Sequence, residues 1–152
     1  MTGDDDADDR QAFVLDVMLG KLATYLRMCG YDAAYALDRG IEADERIREL
    51  ALAEDRTLLT RDEQLAGRTP NALLLTHRDV TDQLRELGEV GLDLSLAAPP
   101  VRCGACNGPL ERAATCPEHA PDDIDCYRCR NCGQWFWMGS HWADVEERLA
   151  SL

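Results

Sequence analysis

Residues 12–37 read AFVLDVMLGKLATYLRMCGYDAAYAL, and the alternation inside this stretch decides the fold. A short apolar run, AFVLD, is followed by Leu19, Leu22, Ala23 and Leu26 at i, i+3, i+4 and i+7, which lays one apolar stripe along a helix. That helix should stop near Cys29 and Gly30, because glycine readily takes the backbone conformation that ends a helix. DAAYAL at 32–37 then reads as a second strand. Strand, helix and strand in succession are the pattern of an α/β domain with a mainly parallel sheet, since parallel neighbours need a crossover between them.

The same alternation continues outward. Ile47, Leu50, Ala51 and Glu54 mark a second helix with a mostly apolar face. TLLT at 57–60 and ALLLT at 72–76 are continuous apolar runs between polar residues, as strands buried on both faces require. A short helix is expected over 62–67 and a last one over 79–88, starting at Asp79 and burying Val80, Leu84 and Leu87. Four βα units result. The pattern breaks at Ala97-Ala98-Pro99-Pro100, where two prolines stiffen the chain into a linker. The chain therefore divides into an acidic tail (1–11), an α/β domain (12–98) and a small cysteine-rich unit (99–152) that closes with an amphipathic helix over 141–151. The tail carries five aspartates and no apolar pattern, so it is expected to be disordered.

Composition limits the partners. There are 29 acidic against 16 basic residues, and Lys21 is the only lysine. Carboxylates bind water and cations well, and this balance is the one a salt-loaded cytoplasm favours. Stability unchanged between molar and dilute salt would refute that expectation. A net charge of −13 weakens nonspecific attraction to nucleic acid, although divalent metal can bridge carboxylates to phosphates. No apolar run approaches the roughly 20 residues that cross a bilayer, and the N-terminus is acidic where a secretion signal is basic. A cytoplasmic protein with no membrane partner is expected.

Six of the seven cysteines fall within residues 103–132. Cys103-Gly-Ala-Cys106 and Cys129-Arg-Asn-Cys132-Gly are two CxxC turns, each offering a pair of thiolates, and together they can close a tetrahedron around Zn²⁺. A structural zinc site with Cys103, Cys106, Cys129 and Cys132 as ligands is expected, in a treble-clef or ribbon-like unit. Iron–sulfur ligation by the same thiolates is the minor alternative. Disulfides are disfavoured without an export signal, and neither CxxC opens a helix of a βαβ unit as a thioredoxin-like pair does. Cys126, Cys129 and Cys132 are evenly spaced, so a shifted register using Cys126 competes. Cys116 and Cys126 are otherwise buried thiols or a secondary contact, and Cys29 packs in the core of the first helix.

Three aspartates stand where strands give way to helices: Asp16, Asp44 and Asp62. In a parallel sheet these positions share the C-terminal edge, where ligands bind. Converging there, they would hold Mg²⁺ or Mn²⁺, whose preference for oxygen ligands suits phosphodiester chemistry. Each is also a good helix N-cap, with Asp38 and Asp79 as competitors.

Asp16-x-Met18-Leu19-Gly20-Lys21-Leu22-Ala23, Leu26-Arg27, Gly30-Tyr31-Asp32, Leu58-Leu59-Thr60-Arg61-Asp62, the double CxxC and Gly139-Ser140-His141-Trp142 occur in this order. Together they resemble the Mut-seven C-terminal RNase domain family, from about Phe13 to Trp142. The resemblance implies a PIN-like three-layer α/β domain followed by a zinc ribbon, and metal-dependent cleavage of RNA, which is expected to be single-stranded. It carries the catalytic acids onto Asp16, Asp44 and Asp62, and basic phosphate contacts onto Lys21 and Arg27. One departure stands out. Where PIN-like domains often carry another acid two residues past the third aspartate, this chain has Gln64, leaving Glu63 or Asp79 to substitute. His141 and Trp142 either pack against the ribbon beside Trp135 and Trp137 or form a stacking platform for an unpaired base, rimmed by Arg102, Arg112, Arg128 and Arg130. The competing function is a non-catalytic RNA- or protein-binding zinc-ribbon module whose aspartates are only caps.

Overall fold

A computed structural model of the chain describes residues 11–152, so the tail expected over 1–11 lies outside it except for Gln11. The strands β1 (Phe13–Leu15), β2 (Ala33–Tyr35), β3 (Thr57–Thr60) and β4 (Ala72–Leu74) form one wholly parallel sheet in the order β2-β1-β3-β4. They alternate with helices α1 (Gly20–Met28), α2 (Asp44–Ala53), α3 (Glu63–Arg68) and α4 (Val80–Glu89). Successive side chains in a strand point to opposite faces. Phe13, Leu15, Ala33 and Leu59 therefore pack with Leu22 and Leu26 of α1 and Leu84 and Leu87 of α4. Val14, Ala34 and Leu58 pack on the other face with Ile47 and Ala51 of α2 and Leu65 of α3. The parallel sheet is the one expected from the alternation, and the helices on both of its faces make the three layers that the family resemblance implied.

Two expectations shift in detail. DAAYAL is a strand only to Tyr35, and Ala36–Arg39 form a turn of 3-10 helix. TLLT is central, but ALLLT supplies an edge strand with Leu74 exposed, because the order places β4 outermost. α1 ends as its sequence requires. Gly30, at φ 90°, donates its N–H to Arg27 O, and Tyr31 N–H returns to Leu26 O, closing a Schellman motif over the last turn.

The remaining chain forms an antiparallel sheet of β5 (Leu110–Arg112), β6 (Tyr127–Cys129) and β7 (Trp135–Phe136), followed by α5 (Ser140–Ala150). This ribbon docks on the edge strand β2 and on α1. The Asn107 side-chain amide donates through Nδ2 to Asp32 Oδ1 at 2.7 Å, and its Oδ1 accepts the Ala33 N–H at 3.0 Å, satisfying backbone at the sheet edge. Leu149 and Leu152 pack on the main core, and Arg148 donates to the Tyr25 hydroxyl.

Arg27, expected at a phosphate, is instead a buried clamp in this junction. Its side chain is 3% exposed, with Nε donating to Ala33 O at 2.9 Å and Nη1 to Gly104 O at 3.0 Å. The 3.4 Å pair with the half-exposed Asp38 adds little. Position 27 lies on the α1 face turned toward β2 and the ribbon, so the guanidinium meets carbonyls before it meets solvent. Arg27→Leu is expected to destabilise the protein by about 2–3 kcal/mol, since the buried Ala33 O and the part-buried Gly104 O lose their donor. The midpoint of urea unfolding measures it.

A second correction concerns the cysteines outside the two CxxC turns. Cys116 and Cys126 are joined by a disulfide, where the sequence disfavoured one. The Arg112–Tyr127 pairing continues into an Ala113 N–H to Cys126 O bond, and the loop returns Cys116 alongside with a Cα–Cα distance of 5.5 Å. Hairpin register, which no compartment argument contains, brings the two together.

Candidate functional site

The order β2-β1-β3-β4 reverses direction between β1 and β3, and the crevice outside the carboxyl ends of those two strands is where ligands bind in open α/β sheets. Asp16 leaves β1 there and is 3% exposed. Its Oδ1 accepts the Val17 N–H at 2.8 Å and its Oδ2 accepts the Thr60 hydroxyl at 2.7 Å. The same Thr60 oxygen accepts the Asp62 N–H at 3.0 Å. One fully buried threonine thus links both aspartates, a role that the sequence showed only as part of a motif.

The capping alternative divides the acids. Asp62 is a cap: its Oδ1 accepts the Gln64 and Leu65 N–H groups at 2.9 and 3.2 Å. Asp79 caps α4 through the Thr81 N–H. Asp44 and Asp16 are not caps. Asp44 is the first residue inside α2, behind Ala43, and Asp16 is buried at the strand end. Gln64 and Glu63 are exposed on the first turn of α3.

Asp44 also feels its neighbours. Burial first, then the charges of Asp62 and Asp16 and a hydrogen bond to Asp62, push its carboxyl above the ordinary 3.8, against an opposing pull from Arg68. The charges of Asp62 and Asp16 therefore reach Asp44, although among the described residues only the four cysteines come close enough together to form a ready metal-binding group. The folded chain holds the Asp44 proton more tightly than the unfolded chain, so this contribution to stability declines as pH rises above 3.8 and levels off once Asp44 is ionised. Asp44→Asn should remove the decline. In buffer without Mg²⁺ or Mn²⁺, the melting-temperature gap between variant and wild type is expected to widen with pH across that window.

Beside this edge lies a cleft of about 500 Å³ whose wall includes Met18, Lys21, Tyr35, Arg78, Asp79 and Gln83. Lys21, in the first turn of α1, is exposed and reaches it. A larger cavity of about 580 Å³ separates α1 from the ribbon. Thr24 and Met28 face Trp135, Phe136, Trp137 and Trp142 across it, with Arg102 and His141 also in the wall. Of the expected basic rim, Arg128 stacks over Trp135 at 5.0 Å, whereas Arg112 and Arg130 turn to Asp125 and Glu111.

Next to this cavity, whose wall includes Gly104 and Ala105, the Sγ atoms of Cys103, Cys106, Cys129 and Cys132 all lie within 4.8 Å of one another. A tetrahedron with Zn–S arms of about 2.3 Å has S–S edges of about 3.8 Å. The Cys103–Cys132 and Cys106–Cys129 pairs are 3.6 and 3.5 Å apart, so the donor set fits zinc. Cys126 stands outside the group, bound to Cys116, which removes the shifted register. Burial pushes the Cys103 thiol up to about 12. Cys129 is buried too, but the N–H groups of Cys132 and Asn131, each 3.4 Å from its sulfur, help bring it down to about 7, favouring a thiolate. Gly108 is required here, because a Cβ would come within 2.9 Å of Cys129 Sγ.

No curated protein and no solved structure shows significant similarity to the chain. The family model of the Mut7-C RNAse domain, by contrast, matches residues 11–149, spanning the parallel sheet, its acidic edge, both CxxC turns and α5. The chain belongs to the Mut7-C RNAse domain family.

Proposed function

We propose that this protein is a metal-dependent ribonuclease that hydrolyses phosphodiester bonds of single-stranded RNA at the edge formed by Asp16, Asp44 and Asp62. The observation that carries this reading is geometric: Thr60 joins Asp16 and Asp62 at the carboxyl ends of β1 and β3, and Asp44, whose carboxyl is raised by burial and then by the charges of Asp62 and Asp16, lies near enough to feel both. Like charges from three separate crossovers, of which only one also serves as a cap, are unfavourable unless a cation joins them. The all-oxygen donor set fits Mg²⁺ or Mn²⁺. Such an ion supplies Lewis-acid stabilisation of the phosphate and a water of lowered pKa. The chain's part is to hold the carboxylates still: Thr60 and the Val17 N–H fix Asp16, and the α3 cap fixes Asp62. Lys21, exposed in the wall of the cleft, meets a phosphate in this reading. The four-thiolate zinc site is structural in this reading, and the cavity lined by His141 and Trp142 takes an unpaired base.

The test is direct. Purified protein should cleave single-stranded RNA when Mn²⁺ or Mg²⁺ is added and fail to do so when both are omitted with the zinc retained. Cleavage at the same rate without either ion would remove the reading. If the protein is instead a non-catalytic binding module, RNA binding will persist, no cleavage will appear, and stripping zinc will abolish binding.

A further inference from the structure

Most arginines of this acidic chain find a carboxylate within 4.0 Å, as Arg39, Arg48, Arg56, Arg68 and Arg85 do. Among the described residues, Lys21, Arg46, Arg61 and Arg78 have no carboxylate and no other oxygen acceptor. Their positions are not scattered. Lys21 follows β1, Arg46 follows β2, Arg61 follows β3 and Arg78 follows β4, each in the crossover that leaves the carboxyl end of its strand. In a chain with almost two acids per base, cations left unpaired on one edge are available to an anion from outside.

Two of these cations line one cleft. Lys21 and Arg78 stand in the wall of the cleft of about 500 Å³ beside Asp16, together with Met18. Arg61 reaches the rim, with Nη1 3.9 Å from Met18 Sδ, and its Nε is buried without a partner. The loop carrying Arg78 is also held more firmly than a connection from β4 to α4 requires. Glu86 accepts from the Thr76 N–H at 2.9 Å, the Thr76 hydroxyl at 2.7 Å and the His77 N–H at 3.3 Å. The buried Gln83 donates to His77 O at 2.8 Å. The exposed Arg78 is therefore presented from a fixed backbone, which limits the entropy lost when its guanidinium meets a ligand.

We propose that Lys21 and Arg78, with Arg61 at the rim, form a phosphate-binding track that grips the backbone of the RNA strand beside the carboxylates, on the face of the sheet covered by α1 and α4. This rests on the ribonuclease reading and adds to it residues that position the strand. The guanidinium of Arg78 can donate to two phosphate oxygens at once, and Lys21 supplies a point charge. The grip is insensitive to base sequence, because the contacts are to phosphate.

The experiment measures binding of a fluorescent single-stranded RNA oligonucleotide to the full chain in Ca²⁺ over a series of KCl concentrations. Cleavage of the same RNA is followed in Mn²⁺. Each lost phosphate contact should lower the slope of log K against log[salt] by about 0.7. Arg78→Gln and Lys21→Gln should each show this, with KM raised about fivefold to tenfold and kcat within about twofold, as expected when binding equal in the ground and transition states is lost. Arg85→Gln, whose partner is Asp82, serves as a control outside the cleft and should leave the slope unchanged. If wild type binds and cleaves RNA while Arg78→Gln and Lys21→Gln keep its slope and KM, the track is refuted and the carboxylate site stands. If wild type neither binds nor cleaves, both fall.

Discussion

Asp62→Asn is expected to lower metal-dependent RNA cleavage by about a hundredfold or more while leaving the fold intact. Asparagine caps a helix about as well as aspartate, so the bonds from Gln64 and Leu65 to position 62 survive and stability should change by only a few tenths of a kcal/mol. What disappears is the charge. Asp16→Asn should cost as much activity but more stability, about 1–2 kcal/mol, because the buried Thr60 hydroxyl loses a charged acceptor. Asp79→Asn keeps its cap and lies outside the trio, so it should change cleavage far less. The comparison is made with single-turnover cleavage and thermal melts on the same preparations. Cleavage indifferent to both Asp62→Asn and Asp16→Asn would show that the nuclease activity comes from elsewhere.

The second large effect concerns the thiolates. Cys103→Ser or Cys132→Ser should take bound zinc from about one ion per chain to none, whereas Cys126→Ser should leave it at about one, because Cys126 lies outside the tetrahedron. A ribbon of strands only three, three and two residues long cannot hold itself together by pairing. Structural zinc supplies an apparent free energy of about 10–16 kcal/mol in comparable small units, and here that energy is folding energy. Losing it should also release Asn107 from Asp32 and Ala33, and uncover the edge of β2. Thermal unfolding is then expected to split in two, an early loss of the ribbon and a later transition of the parallel sheet, whose core lies in other residues. Zinc analysis and calorimetry of the three variants check both parts. Retention of zinc by Cys103→Ser together with its loss in Cys126→Ser would overturn the ligand set.

Much of this was legible along the chain because the features are local. The stripe of Leu19, Leu22, Ala23 and Leu26 makes α1 wherever it is placed, and Gly30 ends it. The two CxxC spacings are fixed by the reach of a thiolate around one turn, so the tetrahedron could be named before its geometry was known. The aspartates at strand ends were equally visible. Which of them were caps was not, because a cap and a site acid occupy the same place in a strand-to-helix sequence.

The sequence by itself determined the alternating elements of the α/β domain, the two CxxC turns and the carboxylates at the strand ends, since each depends on periodicity or spacing within a few residues. Only the tertiary structure decided how these were used. The order β2-β1-β3-β4 brought Asp16 and Asp62 to one crevice across Thr60 and sent ALLLT to an edge. Docking of the ribbon turned Arg27 from an expected phosphate contact into a clamp on Ala33 O and Gly104 O, residues 6 and 77 positions away. Hairpin register joined Cys116 to Cys126. The physical reason is common to all three: each depends on which distant groups a side chain meets first, and that is set by the packing of whole layers.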